Sequence, residues 1–201
     1  MTFFDKRGGR IDVTKFEVDE QLLTSKYVPK NAHVLELGAR YGTVSYVINS
    51  NLDDPTKHVA VEPDVSVVAA LIHNKLVNRS KYNIVVGAVS RKPLQFNILA
   101  FDELGGYGNF TTPTENISHV ETFTVEELEK RYDVSFNCLV ADCEGFLEQF
   151  LDENPDFPNK LDTVIFESDS PERCNYAKVK EILAQAGLHP VVDGFQSVWI
   201  R

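Results

Sequence analysis

The feature that most constrains this chain is a pair of short apolar segments that each end in an acidic residue and a turn. The first lies within residues 33–42, where the turn begins at Gly38 and closes at Gly42. The second lies within residues 59–64 and ends at Glu62, 20 residues after Gly42. Glycines let the backbone approach a ligand closely, and a carboxylate at this spacing can accept both hydroxyls of a ribose. The layout therefore indicates a site for a nucleoside cofactor.

The composition is that of a soluble globular protein with a substantial core. Hydrophobic residues make up 43% and charged residues 25% of the 201 residues, and no repeat or low-complexity linker divides them. We expect one domain over residues 1–201, in which residues 1–30 form an extension that packs on or near the cofactor site. The net charge of −10 argues against a nucleic-acid partner, because surfaces that track phosphates are rich in lysine and arginine.

The cysteines and the N-terminus bear on location. Cys138, Cys143 and Cys174 show no metal-ligand spacing, and we expect them to be core residues in a reducing compartment. No apolar run suited to a signal peptide follows Met1, and no segment reaches the apolar length of a membrane span. We expect a cytoplasmic protein with no membrane span.

Strand and helix patterns alternate along the chain. Strands are predicted over Val34–Leu37, His58–Val61, Asn83–Val86, Leu94–Ala100, Val120–Phe123, Phe136–Ala141 and Leu161–Phe166. Helices are predicted over Val18–Tyr27, Thr43–Asn51, Asp64–Asn78, from Thr124 in a capping box with Glu127, and over Phe146–Asp152 and Asn175–Ala186. Asp193-Gly194 predicts a final hairpin between Leu188–Val192 and Gln196–Ile200. This order predicts an α/β fold, Rossmann-like and doubly wound, with a mostly parallel sheet and a C-terminal antiparallel hairpin.

Residues 102–119 interrupt this alternation. They are rich in glycine and threonine and have no period. A stretch of this length inside a compact domain is usually a lid or a binding loop, although a tolerated insertion fits equally well. If it is a lid, Tyr107, Asn109 and Phe110 would line an acceptor site, and His119 could act as a base.

The expected strand ends collect carboxylates, which bears on the identity of the cofactor. They are Glu36, Glu62, Asp142, Glu167 and, just beyond the last strand, Asp169. The spacing from Gly38 to Gly42 is not G-x-G-x-x-G, and the third glycine of pyrophosphate-binding turns is missing. S-adenosylmethionine carries an ammonium and a sulfonium but no phosphate, so an acidic pocket favours it over NAD.

Six segments occur in an order that matches a known family. They are Val34–Gly42 (VLELGARYG), Val61–Asp64 (VEPD), Val85–Ser90 (VVGAVS), Val120–Leu128 (VETFTVEEL), Leu139–Gly145 (LVADCEG) and Val164–Glu167 (VIFE). In these the chain resembles the FkbM-type methyltransferases, a Rossmann-like family that depends on S-adenosylmethionine. The resemblance implies a seven-stranded sheet, with the cofactor over the glycine turn, its ribose at Glu62, and the segment from Asp142 to Gly145 at the reaction centre.

The chain also departs from the family pattern. Arg40 stands where asparagine is usual, Cys143 replaces an aliphatic residue, and Phe146 replaces a small one. The chain is short for the family. With these differences in mind, we expect the cofactor to be contacted by Glu36, Gly38, Ala39, Arg40, Tyr41, Gly42, Glu62, Pro63, Gly87, Ala88 and Asp142.

Methyl transfer to a hydroxyl needs an aligned oxygen and a group that removes its proton. The candidates for that group are Asp142, Glu144 and His119. Alternatively, Asp142, Glu167 and Asp169 would bind Mg²⁺ or Mn²⁺, which lowers the pKa of the hydroxyl. We expect methylation of a hydroxyl on a small molecule or glycan, and the family resemblance favours a sugar. The other hypotheses are an NAD-dependent oxidoreductase and a non-catalytic nucleoside-binding module.

Overall fold

The computed structural model describes residues 1–98, 108–115 and 120–201. Its strands are β1 (Phe3–Phe4), β2 (Arg10–Ile11), β3 (Val34–Leu37), β4 (His58–Glu62), β5 (Asn83–Val86), β6 (Ala88–Val89), β7 (Leu94–Asn97), β8 (Phe110–Pro113), β9 (Thr122–Phe123), β10 (Cys138–Ala141), β11 (Thr163–Glu167), β12 (His189–Val192) and β13 (Gln196–Ile200). Its helices are α1 (Val18–Tyr27), α2 (Thr43–Asn51), α3 (Val65–Val77), α4 (Val125–Tyr132), α5 (Leu147–Glu153) and α6 (Tyr176–Gln185).

A seven-stranded sheet lies at the centre of the described residues, in the order β12-β13-β11-β10-β3-β4-β5. The strands from β11 to β5 are parallel, and β13 runs antiparallel to β11. The mostly parallel sheet is therefore confirmed. The predicted hairpin is matched in part: β12 and β13 pair antiparallel, but their register shifts between Pro190 and Val192.

Alternate residues of the central strands pack on opposite faces of the sheet. Val34 and Val140 pack with apolar residues of α1 and α2, whereas Leu35 and Leu139 pack with residues of α4, α5 and α6. Burying each such side chain contributes about 1.5–3 kcal/mol, so a strand with two apolar faces requires helices on both. The doubly wound arrangement follows from this pattern.

The N-terminal residues join the layer formed by α1 and α2. Helix α1 has the bounds that the sequence predicts, and it packs on α2 with further contacts to β11 and β13. The hairpin of β1 and β2 is attached to α3, where the Phe4 N–H donates to Asn74 Oδ1 at 2.9 Å. In the part of the chain that the structure describes, no helix is long and apolar enough to cross a membrane.

One predicted loop contains a strand. Residues 110–113, which lie in the segment expected to have no regular structure, form β8 and pair antiparallel with β7. The predicted strand from Leu94 ends at Asn97 in the structure, and its last two residues lie outside the described part. The threonines of β8 favour extended backbone, and Pro113 is tolerated because it ends a strand at a sheet edge.

Candidate functional site

The ends of three parallel strands lie side by side at one edge of the sheet. Leu37 of β3 is paired with Val61 of β4 and with Ala141 of β10. A pocket lies at this edge, and its empty space is about 710 Å³ when the open mouth is included. Its lining is Leu37, Gly38, Arg40, Val61, Glu62, Pro63, Asp64, Gly87, Ala88, Val89, Phe96, Asn109, Phe110, Thr111, Asp142, Cys143, Glu144 and Phe146.

The turn after β3 needs glycine at position 38. Gly38 has a φ of +91°, and a Cβ there would lie 1.8 Å from the Asp142 carbonyl oxygen. The Gly38 and Ala39 N–H groups donate to the Val61 carbonyl at 2.9 and 3.1 Å. The turn thus joins the end of β3 to that of β4 and lets the chain after β10 come close.

Glu62 is the last residue of β4, and its carboxylate is held by main-chain donors. Its Oε2 accepts from the Arg40 N–H and its Oε1 from the Asp64 N–H, both at 2.7 Å. The side chain is 5% exposed, and this burial raises the pKa of Glu62 to about 7 although both N–H groups act to lower it. Each carboxylate oxygen has a second lone pair, so each can accept one further hydroxyl.

Glu36 does not reach the pocket. Because side chains alternate along a strand, Glu36 lies on the same face as Val34, toward α1 and α2. Its Oε2 lies 2.9 Å from His58 Nε2, and both side chains are buried. The structure therefore gives Glu36 a partner in the core and places it away from the expected cofactor contacts.

The predicted cofactor residues divide into two groups. Gly38, Arg40, Glu62, Pro63, Gly87, Ala88 and Asp142 line the pocket, whereas Ala39, Tyr41 and Gly42 do not. The side chain of Ala39 packs with Leu71 and Tyr82, and Tyr41 packs with Val67 and Ala70 of α3. Residues of this one turn therefore face either the pocket or the protein interior, and the linear motif does not reveal which.

Glu144 lines the pocket, and a main-chain N–H group holds its carboxylate. Its φ of +52° is unusual for a residue with a side chain. Its Oε1 accepts from the Gly108 N–H at 2.8 Å, and Arg173 Nη2 lies 4.0 Å from its Oε2. Burial, followed by the nearby Asp169 carboxylate, raises the pKa of Glu144 to about 7.

The predicted metal set is grouped differently in the structure. Asp142 belongs to two clusters of carboxylates, one with Glu144 and Asp169 and the other with Glu167 and Glu20, each with oxygens within 4.8 Å of one another. Glu167 and Asp169 do not join the same cluster among the described residues. Asp169 lies beyond the end of β11, where it reaches the loop that carries Glu144.

Two predicted residues of the irregular segment reach the pocket. Asn109 Nδ2 donates to Asp64 Oδ2 at 3.3 Å, and the Phe110 ring lies under the Arg173 guanidinium at 4.1 Å. Tyr107 and His119 lie outside the described residues. Part of the pocket wall is thus formed by residues of β8.

Sequence reasoning did not identify Glu20 or Arg173 as site residues. Glu20 lies on α1, and Arg173 lies in the loop before α6. Neither belongs to a motif, and each meets the site only through the packing of distant elements. The single indication for Glu20 is an acidic residue on the helix expected to pack near the cofactor.

No protein-family model and no curated protein matches this chain by sequence. Three solved structures illustrate what it resembles. An O-methyltransferase from Bacillus cereus, solved in complex with SAH, matches with a TM-score of 0.55 and 14% identity over 95% of this chain and 82% of that chain. A putative tRNA (m1A22) methyltransferase from Streptococcus pneumoniae has a TM-score of 0.52 and 11% identity, with 89% and 67% covered.

The third structure is a protein of the NADB-Rossmann superfamily from Streptococcus agalactiae. It has a TM-score of 0.51 and 11% identity over 90% of this chain and 65% of that chain. The present chain thus spans about two thirds of the length of two of these structures. Likeness at such identities shows the fold alone. This chain has the Rossmann-like α/β fold shared by class I, S-adenosylmethionine-dependent methyltransferases.

Proposed function

We propose that this chain is an FkbM-type enzyme that moves the methyl group of S-adenosylmethionine to a hydroxyl of a small molecule or glycan. The observation that carries the proposal is the charge of the pocket. Among its described lining residues, Glu62, Asp64, Asp142 and Glu144 are acidic and Arg40 alone is basic. Such a lining favours a cationic ligand and disfavours a pyrophosphate, which supports S-adenosylmethionine over NAD.

The residues present also fit the shape and polarity of this cofactor. Glu62 keeps one lone pair on each oxygen for the ribose hydroxyls, because its main-chain partners use only one each. Gly38 and Gly87 leave room for close approach to the backbone, and Val89 and Phe96 offer apolar surface for a base.

Glu144 is the strongest candidate for the group that removes the acceptor proton. When bound, S-adenosylmethionine would supply an electrophilic methyl group on a sulfonium. Glu144 would orient the acceptor hydroxyl and receive its proton, a role that its position at the pocket wall and its hydrogen bond from Gly108 support. A pKa of about 7 is well matched to a base that works near neutral pH.

Asp142 is better suited to another role. Burial, followed by the Glu167 carboxylate, raises the pKa of Asp142 well above its usual range, which favours the protonated form of its side chain. A protonated Asp142 would donate a hydrogen bond and could not accept a proton. The third candidate, His119, stays a prediction from the sequence.

The choice of acceptor rests on charge and on the family resemblance. A net charge of −10 is unfavourable for an RNA substrate, because phosphates are bound by lysine and arginine. A sugar hydroxyl is neutral and can be held by carboxylates and amides such as Asn109, which lines the pocket.

The test is a screen for acceptor-dependent formation of S-adenosylhomocysteine. We expect product with sugars or other small hydroxyl compounds, above the level without acceptor, and none with tRNA. Binding of S-adenosylmethionine with product only on tRNA would overturn the acceptor class. Binding of NAD in place of S-adenosylmethionine would overturn the proposal and favour an oxidoreductase.

A further inference from the structure

Three carboxylates from separate elements meet beside the pocket. Glu20 comes from α1, Asp142 follows β10, and Glu167 ends β11. Each offers an oxygen within 4.8 Å of those of the other two. Asp142 also lines the pocket, so the cluster adjoins the space proposed for the cofactor and acceptor.

Glu20 differs from three other buried glutamates of the chain, whose carboxylates have partners. Glu62 accepts two main-chain N–H groups, Glu36 contacts His58, and Glu17 accepts from the Thr43 hydroxyl. Glu20 is only 4% exposed, yet no donor and no basic side chain contacts its carboxylate among the described residues. Burying a carboxylate without a partner is costly, so this side chain indicates a missing positive charge.

Neighbouring oxygens lack donors as well. Gln196 Nε2 donates to Glu167 Oε2, and this orientation leaves Gln196 Oε1 buried without a partner among the described residues. Asp169 Oδ2, in the adjoining cluster, is also buried and unpartnered there. Several oxygens without hydrogen-bond donors are suited to bind a hard cation. A single proton shared between two of these oxygens would leave the others without a partner.

We propose that Glu20, Asp142 and Glu167 bind a hard divalent cation of the Mg²⁺ or Mn²⁺ type, with helix α1 supplying one ligand. The cation would neutralise the cluster and attach the N-terminal segment to the ends of β10 and β11. Under the proposed function, on which this consequence rests, it would also lower the pKa of an acceptor hydroxyl bound at the Asp142 side of the pocket.

The experiment measures Mn²⁺ binding to the full chain directly, by loss of the free Mn²⁺ signal in electron paramagnetic resonance. No cofactor or acceptor is added, so the result is independent of methyl transfer. The variants are Glu20→Gln, which keeps the shape of the side chain, Asp169→Asn in the adjoining cluster, and Asp19→Asn. Asp19 is the matched control, an exposed acidic residue next to Glu20 on α1.

We expect one Mn²⁺ per wild-type chain, unchanged binding in Asp19→Asn, and affinity within about threefold of wild type in Asp169→Asn. Glu20→Gln should weaken binding by at least about tenfold, because even the loss of a residue that only orients a metal ligand lowers metal affinity about 10- to 100-fold.

No binding by the wild type, or equal binding by the wild type and Glu20→Gln, would overturn the proposal. Loss in Asp169→Asn alone would also overturn it and assign the ion to the other cluster. Far-ultraviolet circular dichroism and the unfolding midpoint confirm that each variant is folded.

Discussion

The two sides of the pocket hold buried carboxylates in opposite ways. On the β4 side, Glu62 has a main-chain donor on each oxygen and space for one hydroxyl more on each. On the β10 side, Asp142 and Glu20 lie among other carboxylates, and the described residues give their side chains no donor. The first arrangement suits a neutral diol such as a ribose, and the second suits positive charge.

This difference shows that burial alone does not define the role of an acidic residue. Burial raises the pKa of Glu62 to about 7. It also raises the pKa values of Glu20 and Asp142 well above their usual range. The two sides differ in what stabilises the carboxylates. Main-chain N–H groups donate to Glu62, whereas at the other cluster we expect a bound cation to take that part.

The largest effect is expected for Glu144→Gln. A glutamine of the same shape cannot accept the proton, and loss of a general base typically costs about 10²- to 10⁴-fold in rate. We expect kcat to fall by that amount with little change in the dissociation constant of the cofactor, measured once an acceptor is known. Glu181→Gln, an exposed change on α6, is the control. Unchanged kcat in Glu144→Gln would remove Glu144 from the chemistry.

The next effect concerns the turn that joins the two sides. A Cβ in Gly38→Ala would collide with the Asp142 carbonyl, and we expect a loss of about 3 kcal/mol in the free energy of unfolding, measured with urea. Gly8→Ala is the matched control, since Gly8 also has a positive φ of +80° but has no atom within 4 Å of the added Cβ. Its cost should be only about 1 kcal/mol. Equal costs would show that backbone conformation, and not close approach, requires glycine at position 38.

A smaller effect is the pH dependence of cofactor binding. Because the pKa of Glu62 is raised to about 7, the free protein carries a protonated Glu62 below that pH, and one of its oxygens can then no longer accept two hydrogen bonds. Affinity for S-adenosylhomocysteine should therefore fall as the pH drops below 7, by up to about tenfold per pH unit. In Glu62→Gln the dependence should flatten. Equal wild-type affinity at pH 5.5 and 7.5 would contradict the assignment.

The β4 side could be predicted from the sequence and the β10 side only in part. The glycine turn and Glu62 are close in sequence and follow apolar runs, so local patterns locate them. The same patterns place Asp142 and Glu167 at strand ends. They do not reveal that Glu20 joins these residues, because that contact depends on how α1 packs against the sheet.

Two further differences have physical causes. Glu36 points toward α1 and α2, because strand alternation puts it on the face opposite to that of Leu35 and Leu37, and a motif that records only residue type omits this direction. Strand β8 is only four residues long and lies in an irregular segment, so no local pattern identifies it, although its threonines favour the extended backbone that pairs with β7.

The most direct test compares the two sides in one experiment. Binding of S-adenosylhomocysteine is measured by calorimetry at pH 7.5, without added metal, for the wild type, Glu62→Gln and Glu20→Gln. Loss of hydrogen bonds to a charged group costs about 1.5–3 kcal/mol, so Glu62→Gln should bind about 10- to 100-fold more weakly. Glu20→Gln should bind within about twofold of the wild type, since Glu20 lies on the other side. Wild-type affinity in Glu62→Gln, or an equal loss in both variants, would contradict the division of the pocket into a cofactor side and a cation side.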